Sequence, residues 1–406
     1  MIRIHAKKIK IALLVVALVI IAFFIFIIWK SSHKPVSNAV PPQTTASSTV
    51  AATSTGITII PATSSTPPIA VLPPATVKTV DHSIGIAAGG GLSKIPSSTL
   101  NDELNQIQSL GVQWVRFDIE WGDVQYSSAS GSNWYAYDSL VQALAAHHLK
   151  GLGIILFTPQ WARSPSCSNG VECPPQDPAQ FATFAAEVAT RYKVYGMHSW
   201  EIWNEPNNFN FWSPTTDCTG YANLLKAVYP AVKQADPDSI VVTGGLAPES
   251  TDGKNTSPTD FLSCMYAAGA KGYFDAVGDH PYSFPQLPSQ VTAGAWAQMS
   301  ETTPSLRSIM VANGDADKKI WVTEYGTPTD GPDPHWYVSE AQQAAMVTDA
   351  MALYKTYSWA GPFFWYTYQD GGTSTSTSEN FFGLVRADGS TKPAYTTLKN
   401  IIAAGL

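Results

Sequence analysis

Charged residues are scarce in this sequence: Asp, Glu, Lys and Arg make up only 14% of its 406 residues. The basic residues are also unevenly spread, because seven of the 24 lie among the first 80 residues, where no acidic residue occurs. The rest of the chain therefore carries 17 basic against 31 acidic residues. This acidic balance argues against nucleic acid or other polyanions as ligands and favours neutral or basic substrates.

Cysteine is rare as well, with four residues whose spacing matches no zinc site. Cys167 and Cys173 bracket a turn-prone loop, so they could form a disulfide in an exported protein. Cys218 and Cys264 could pair if their helices are neighbours, and free thiols are the alternative.

The glycines at 89–91 lack the Lys-Ser/Thr of a P-loop and are interpreted as a flexible loop. We expect no metal and no organic cofactor.

Polar residues are absent from Ile11 to Trp29, a run of about 19 residues that would span roughly 28 Å as a helix. Basic residues precede the run, which places the N-terminus in the cytoplasm by the positive-inside rule. The sequence predicts a cytoplasmic tail at 1–10 and a single-pass transmembrane anchor at 11–29, with the main domain outside the cytoplasm. A cleaved signal peptide is the alternative, but the run is long and no small-x-small cleavage site follows it.

Residues 30–80 are rich in Ser, Thr and Pro, and no charged residue occurs between 35 and 77. Such a segment cannot bury enough apolar surface to offset its ordering entropy. We therefore predict a disordered stalk between the membrane and the main domain.

From residue 81 onward, short apolar runs alternate with longer amphipathic ones. The predicted strands are 83–88, 114–119, 153–157, 200–204, 240–245, 274–280, 320–325 and 363–368. The predicted helices are 98–110, 138–150, 178–193, 220–235, 258–270, 304–312, 339–357 and 393–403. Eight ordered repeats predict the α/β class and a (β/α)8 TIM barrel over 81–406. A doubly wound open sheet is the alternative, and the missing phosphate-binding fingerprint counts against it.

Two stretches of similar build carry the candidate chemistry. Trp-Glu-Ile-Trp-Asn-Glu-Pro at 200–206 leaves Glu205 at the end of a strand, which Pro206 stops because it has no backbone donor. Ile-Trp-Val-Thr-Glu-Tyr-Gly at 320–326 leaves Glu324 in the same position on a later strand. In a barrel both carboxyl groups would face each other across one rim, which is what glycoside hydrolysis needs. The alternative is that each is a solvated loop glutamate.

These two stretches resemble the strand-4 and strand-7 motifs of clan A glycoside hydrolases, most of all family 39 and the cellulase-like family 5. The resemblance extends over residues 81–406 and includes the closing segments 382–389 and 392–395. It implies a retaining enzyme in which Glu205 is the acid/base and Glu324 the nucleophile. Asn204 matches the residue that binds the 2-hydroxyl of the sugar being cleaved. Arg116 matches an arginine beside the nucleophile that keeps Glu324 ionised, and a structural ion pair is its alternative role.

The resemblance suggests three further substrate-binding residues, and the predicted loops suggest two more. His280 and Tyr282 match positions that steady the nucleophile, and a core or loop histidine is the alternative. Trp365 matches the tryptophan that floors the subsite of the cleaved sugar, although a strand tryptophan could equally fill the barrel. Trp161 and Trp121 adjoin predicted loops and are candidates for stacking on sugar rings, with surface packing as the alternative.

Glu201 precedes Glu205 by four residues, so strand alternation predicts that it lies deeper on the same side, buried and paired. Weaker carboxylate candidates lie near the same rim; they are Asp118, Glu120, Asp279 and Asp370.

We therefore predict a retaining glycoside hydrolase that acts within chains of a polysaccharide at or near the cell surface. Family 39 enzymes usually carry an extra β-sandwich, which this sequence is not expected to include, and an open cleft is favoured for that reason. The alternatives are an exo-acting β-xylosidase-like enzyme, a transglycosylase that uses the same residues, and a non-catalytic barrel that binds polysaccharide.

Overall fold

The computed structural model describes residues 82–167 and 170–405. Eight parallel strands follow one another around a closed barrel in chain order. They are β1 Ile84–Gly89, β2 Trp114–Glu120, β3 Lys150–Leu156, β4 Ser199–Ile202, β5 Ile240–Thr243, β6 Ala276–Asp279, β7 Lys319–Tyr325 and β8 Ala360–Tyr366. The predicted (β/α)8 barrel is confirmed.

Helices surround the barrel. They are α1 Ser97–Ser109, α2 Trp121–Val124, α3 Tyr135–Ala146, α4 Pro178–Tyr192, α5 Cys218–Ala235, α6 Pro258–Ala267, α7 Ala295–Ser300, α8 Leu306–Ala312, α9 Glu340–Tyr354 and α10 Pro393–Ala403. Each of the eight predicted helices is present, with ends displaced by a few residues. The short helices α2 and α7 are the two that the sequence pattern did not predict.

The predicted tail, anchor and stalk lie outside the described residues, since these begin at 82. Within the described part of the chain, no helix has the length and apolar character of a membrane span.

Helix starts follow local sequence signals. Asp177 caps α4 by accepting a hydrogen bond from the Ala179 backbone, and Pro178 occupies the first helical position. Ser257 and Pro258 make the same arrangement at α6. These caps fix where each helix leaves the loop above the barrel.

Two layers of core hold the strands. A small cluster fills the barrel interior and includes Trp114, Trp321 and Phe364. A much larger cluster lies between the strands and the helices. Successive side chains of a strand point to opposite faces. The residues that alternate with these interior positions therefore face the helices, and the interior-facing residues at the carboxyl ends of the strands reach the barrel rim.

Both cysteine pairs form disulfides, and no free cysteine remains. The predicted Cys167–Cys173 bond closes the loop between β3 and α4. The second pair, left open by the sequence, joins Cys218 at the start of α5 to Cys264 in α6.

Candidate active site

The chain leaves β4 through an unusual backbone turn. Trp203 and Glu205 both have positive φ angles, 71° and 44°, which are uncommon for residues with side chains. The turn sends the Trp203 indole outward, where it is fully buried and donates to the Phe211 carbonyl oxygen at 2.7 Å. Asn204 and Glu205 are left facing the barrel mouth. Backbone of this kind is held in place by its surroundings and is concentrated at functional sites.

Glu324 reaches the same mouth from β7. Trp321 lies in the barrel interior, so strict alternation would turn Glu324 toward the helices. The pairing of β7 with β8 is irregular between Val322 and Tyr325, and such irregularities re-aim side chains. The Glu324 side chain is directed inward and is only 14% exposed.

The two carboxyl groups meet beside His280. One oxygen of Glu205, one oxygen of Glu324 and one ring nitrogen of His280 all lie within 4.8 Å of one another. His280 Nδ1 is 3.0 Å from Glu205 Oε1 and 3.6 Å from Glu324 Oε2. Burial alone would lower the pKa of the His280 imidazole, but Glu324 and the hydrogen bond with Glu205 outweigh it and raise that pKa above its ordinary value.

Arg116 lies beneath this pair and is almost fully buried. Its Nη1 donates to Glu324 Oε1 at 2.5 Å, while its Nε and Nη2 donate to Glu201 Oε2 and Oε1 at 2.6 and 3.0 Å. Nη2 also donates to Asn204 Oδ1 at 2.9 Å. Glu201 is therefore buried and paired deeper in the barrel, as the strand pattern predicted. The alternative pairing of Arg116 with a carboxylate of its own strand is not found among the described contacts.

The surroundings of Glu324 favour its ionised form. Burial on its own raises the pKa of the Glu324 carboxyl. The charges of His280 and Arg116 and a 2.8 Å hydrogen bond from the Tyr282 hydroxyl outweigh burial, so the pKa lies below its ordinary value. Glu205 has different partners, since its Oε2 accepts a hydrogen bond from Asn208 Nδ2 at 3.0 Å. The two carboxyl groups thus occupy different electrostatic environments.

The pair opens on a cleft of about 480 Å³, a volume suited to a small chain of sugars. Six aromatic side chains line it: Phe157, Phe211, Tyr282, Phe284, Tyr366 and Phe382. A larger groove of about 850 Å³ lies on the outer surface between α4 and α5, but half of its lining residues are alanine and it holds none of the clustered carboxylates. The chemistry is therefore assigned to the smaller cleft.

The predicted role of Trp365 is wrong. Phe364 belongs to the interior cluster, so Trp365 points outward, where it is fully buried against Tyr325. Tyr366, one position later, lines the cleft, and its hydroxyl donates to Glu379 Oε2 at 3.1 Å. With Phe364 assigned to the barrel interior, strand alternation would have placed the Tyr366 side chain on the cleft side.

Two further tryptophans do not line the cleft. Trp121 is fully buried, and its indole donates to Gln125 Oε1 at 2.8 Å, which leaves no ring face for a sugar and corrects the prediction. Trp161 is partly exposed, packs edge-on against Trp121 and donates to the Gln125 carbonyl oxygen at 2.8 Å. Phe157 and Phe211 are the cleft aromatics on this side, and neither was among the predicted substrate-binding residues.

The four weaker carboxylate candidates differ in their positions and partners. Glu120 and Asp370 form ion pairs, each at 2.8 Å, with Lys94 and Lys392 respectively. Asp279 is buried, while Asp118 lines the cleft.

Oxygen and nitrogen ligands of the kind grouped at Glu205, His280 and Glu324 could in principle hold a metal ion. The Arg116 guanidinium lies 2.5 Å from Glu324 and 3.5 Å from His280 Nε2, and its positive charge opposes a cation there.

A closed barrel with two carboxyl groups facing each other among aromatic rings at the carboxyl ends of β4 and β7 defines the barrel class of glycoside hydrolases. The model of the cellulase family, glycosyl hydrolase family 5, matches residues 82–369. The chain belongs to this family and is a glycoside hydrolase. The predicted resemblance to family 5 is confirmed.

The chain is also similar to individual proteins. A β-xylosidase from Geobacillus stearothermophilus is 28% identical over 174 residues, which cover 39% of this chain and 33% of the relative. A family 39 glycoside hydrolase from Bacteroides cellulosilyticus superposes with a TM-score of 0.61 at 23% identity, covering 79% of this chain and 63% of that protein. A β-xylosidase from Caulobacter crescentus gives a TM-score of 0.59 at 20% identity, with 79% and 68% covered. The chain spans a third of the length of the first relative. The two solved structures share the fold of this chain.

Proposed function

We propose that this protein is a retaining glycoside hydrolase that cuts within polysaccharide chains by double displacement between two glutamates. The observation that carries the proposal is the approach of one Glu205 oxygen to within 4.8 Å of one Glu324 oxygen. Retaining enzymes hold their carboxyl groups about 5–5.5 Å apart, whereas inverting enzymes leave about 6.5–9.5 Å for a water molecule.

In the first step, Glu324 attacks the anomeric carbon while Glu205 donates a proton to the departing oxygen. The bond between the anomeric carbon and the leaving group breaks, and an ester with Glu324 forms. In the second step, Glu205 takes a proton from water, and the water oxygen displaces Glu324. Arg116 and Tyr282 support this sequence because their contacts at 2.5 and 2.8 Å stabilise the Glu324 carboxylate as attacking and leaving group.

Asn204 suits the role of holding a sugar hydroxyl. Its Oδ1 is occupied by Arg116 Nη2 at 2.9 Å, which fixes the amide, and no described residue accepts a hydrogen bond from its Nδ2. The Nδ2 donor is therefore available at the base of the cleft.

Action within chains is favoured by aromatic rings on both sides of the carboxylate pair. Phe157 and Phe211 stack with nearly parallel rings near Glu205, and Phe382 packs against Tyr282, which contacts Glu324. Sugar units on either side of the cleaved bond would each find a ring surface. An exo-acting β-xylosidase is the second candidate, supported by the relative with that name.

A panel of neutral and amino polysaccharides incubated with the full-length protein tests the proposal, with reducing ends and product sizes as readouts. We expect mixed oligosaccharides whose new anomeric centre first appears in the configuration of the substrate, as seen by NMR. Single sugars released from one end would favour the exo-acting alternative, and an inverted first product would overturn the two-step mechanism.

The proposal includes a location. Residues 11–29 would anchor the enzyme in the membrane, with 30–80 as a spacer and the barrel outside the cytoplasm. This rests on the uninterrupted apolar run and the basic residues before it. Resistance of the protein to carbonate extraction from membranes, together with accessibility of the barrel to protease on intact cells, is the expected result.

A further inference from the structure

The cleft is acidic beyond what the proposed mechanism requires. Besides Glu205 and Glu324, its lining includes the carboxyl groups of Asp118, Glu249 and Glu379. None of the residues that line it in the described part of the chain is Lys, Arg or His. A cleft with low-dielectric walls concentrates such a field, so it attracts cationic ligands and repels anionic ones.

Two lining carboxyl groups, those of Glu249 and Asp118, have no hydrogen-bond or ion-pair partner among the described residues. Asp118 is the one that lies near Arg116 and Glu324. It follows Arg116 by two residues on β2 and so faces the same side of the strand. Arg116 is committed to Glu201, Glu324 and Asn204, and the nearby Lys94 pairs with Glu120 at 2.8 Å.

No described residue donates a hydrogen bond to the Asp118 carboxyl group. Burial raises the pKa of this group to about 7. A desolvated acceptor without a protein donor is one that a ligand donor can satisfy.

Asp118 lies on the side of the cleft that would hold the glycone, the sugar whose anomeric carbon is attacked. The charged neighbours of Asp118 include Arg116 and Glu324. Those of Glu249 include Glu205, the proposed proton donor to the leaving group. A Cβ atom at Gly90 would lie 3.2 Å from Asp118 Oδ2, 3.3 Å from Glu120 Oε1 and 3.7 Å from Lys94 Nζ, so a side chain at this position would crowd the Asp118 carboxyl group.

We propose that Asp118 selects the charge of the glycone, so that the cleft binds chains of amino sugars in preference to matching chains of neutral sugars. An ammonium group would make a charge-assisted hydrogen bond to Asp118 that a hydroxyl group cannot match. A uronic acid would instead place a carboxylate against the acidic lining and be rejected. This inference rests on the proposed function, because the roles of Glu205 and Glu324 define the glycone side.

The test compares a glucosamine pentamer with the glucose pentamer of the same β-1,4 linkage. Binding to the full-length protein is measured by calorimetry at neutral pH, in a Glu205→Gln background that arrests cleavage. We expect the amino pentamer to bind about tenfold more tightly, equivalent to about 1.4 kcal/mol. Adding Asp118→Asn should reduce the preference to about twofold or less.

Glu249→Gln is the matched control, because it removes a lining carboxyl group from the leaving-group side. We expect most of the preference to survive this change. Equal binding of the two pentamers, an unchanged preference in Asp118→Asn, or an equal loss in Glu249→Gln would each overturn the inference.

The inference and the proposed function fail in different ways. If neither pentamer binds while the protein still hydrolyses another neutral polymer in a manner that depends on Glu205 and Glu324, the inference is wrong and the proposed function stands. If hydrolysis persists when both glutamates are replaced, the proposed function itself is wrong.

Discussion

Arg116 and Glu201 form a fully buried, two-point ion pair directly beneath the carboxylate cluster, with contacts of 2.6 and 3.0 Å. Neither side chain is more than 1% exposed. Glu201 Oε1 also accepts a hydrogen bond from the Gly245 backbone at 2.8 Å, which ties β4 to the loop after β5. The guanidinium that contacts Glu324 is therefore held in place by a residue that takes no part in the proposed chemistry.

Glu201→Gln should destabilise the protein strongly, because it leaves the buried charge of Arg116 with one carboxylate fewer. The expected loss is about 3–5 kcal/mol of unfolding free energy, measured by denaturant titration. Asp138→Asn is the matched control, since Asp138 pairs with Arg191 at the surface, where such pairs contribute about 0–1 kcal/mol. Similar losses of unfolding free energy in both variants would show that the buried ion pair contributes no more to stability than the surface pair.

Tyr282→Phe should lower kcat/KM by about 10- to 100-fold, because it removes one hydrogen bond to a charged nucleophile. The pKa of Glu324 lies below its ordinary value partly because of this bond, so its loss should raise the pKa. Since the ionised carboxylate attacks, the acidic limb of the pH profile should move to higher pH. Tyr366→Phe, whose hydroxyl contacts Glu379, should leave that limb in place.

Glu205→Ala and Glu324→Ala should respond differently to the leaving group. Without its proton donor, the enzyme should lose about 10²–10⁴-fold in kcat/KM on polysaccharide but retain much more of its kcat/KM on aryl glycosides whose leaving group needs no proton. Without its nucleophile, it should lose activity on both substrates. Values of kcat/KM, which report the first step, are compared on a natural polymer and a dinitrophenyl glycoside, and equal losses of kcat/KM for Glu205→Ala on both would exclude a role as acid.

Asp118→Asn should stabilise the protein at neutral pH. Burial raises the pKa of Asp118 to about 7, so the native state holds this proton more tightly than the unfolded chain does. Stability contributed by the protonated form is therefore lost as pH rises from the unfolded value of about 4 through about 7. The melting temperature of Asp118→Asn should exceed that of the wild type by a few degrees at pH 7–8 and by little near pH 4, measured by calorimetry.

Tyr366→Ala and Trp365→Phe should separate binding from packing. Tyr366 lines the cleft, so its loss should raise KM severalfold. Trp365 is fully buried, so its replacement should cost about 1–3 kcal/mol of stability and leave KM near the wild-type value. A raised KM in Trp365→Phe would restore the role that the sequence resemblance gave it.

The sequence by itself determined the order of strands and helices, the barrel and the two glutamates at its rim. It could do so because apolar runs buried on both faces, helix caps such as Asp177–Pro178 and a proline that ends a strand are local features, each written in adjacent residues. The burial of Glu201 also followed from alternation within one strand.

Tertiary structure decided which neighbouring side chain reaches the cleft. Left-handed turns at Trp203 and Glu205, and the irregular register around Glu324, shift side chains between faces in a way that no alternating pattern reveals. The pairing of Cys218 with Cys264 and the partners of Arg116 depended on which elements pack together, because contacts between distant segments arise only when the barrel closes.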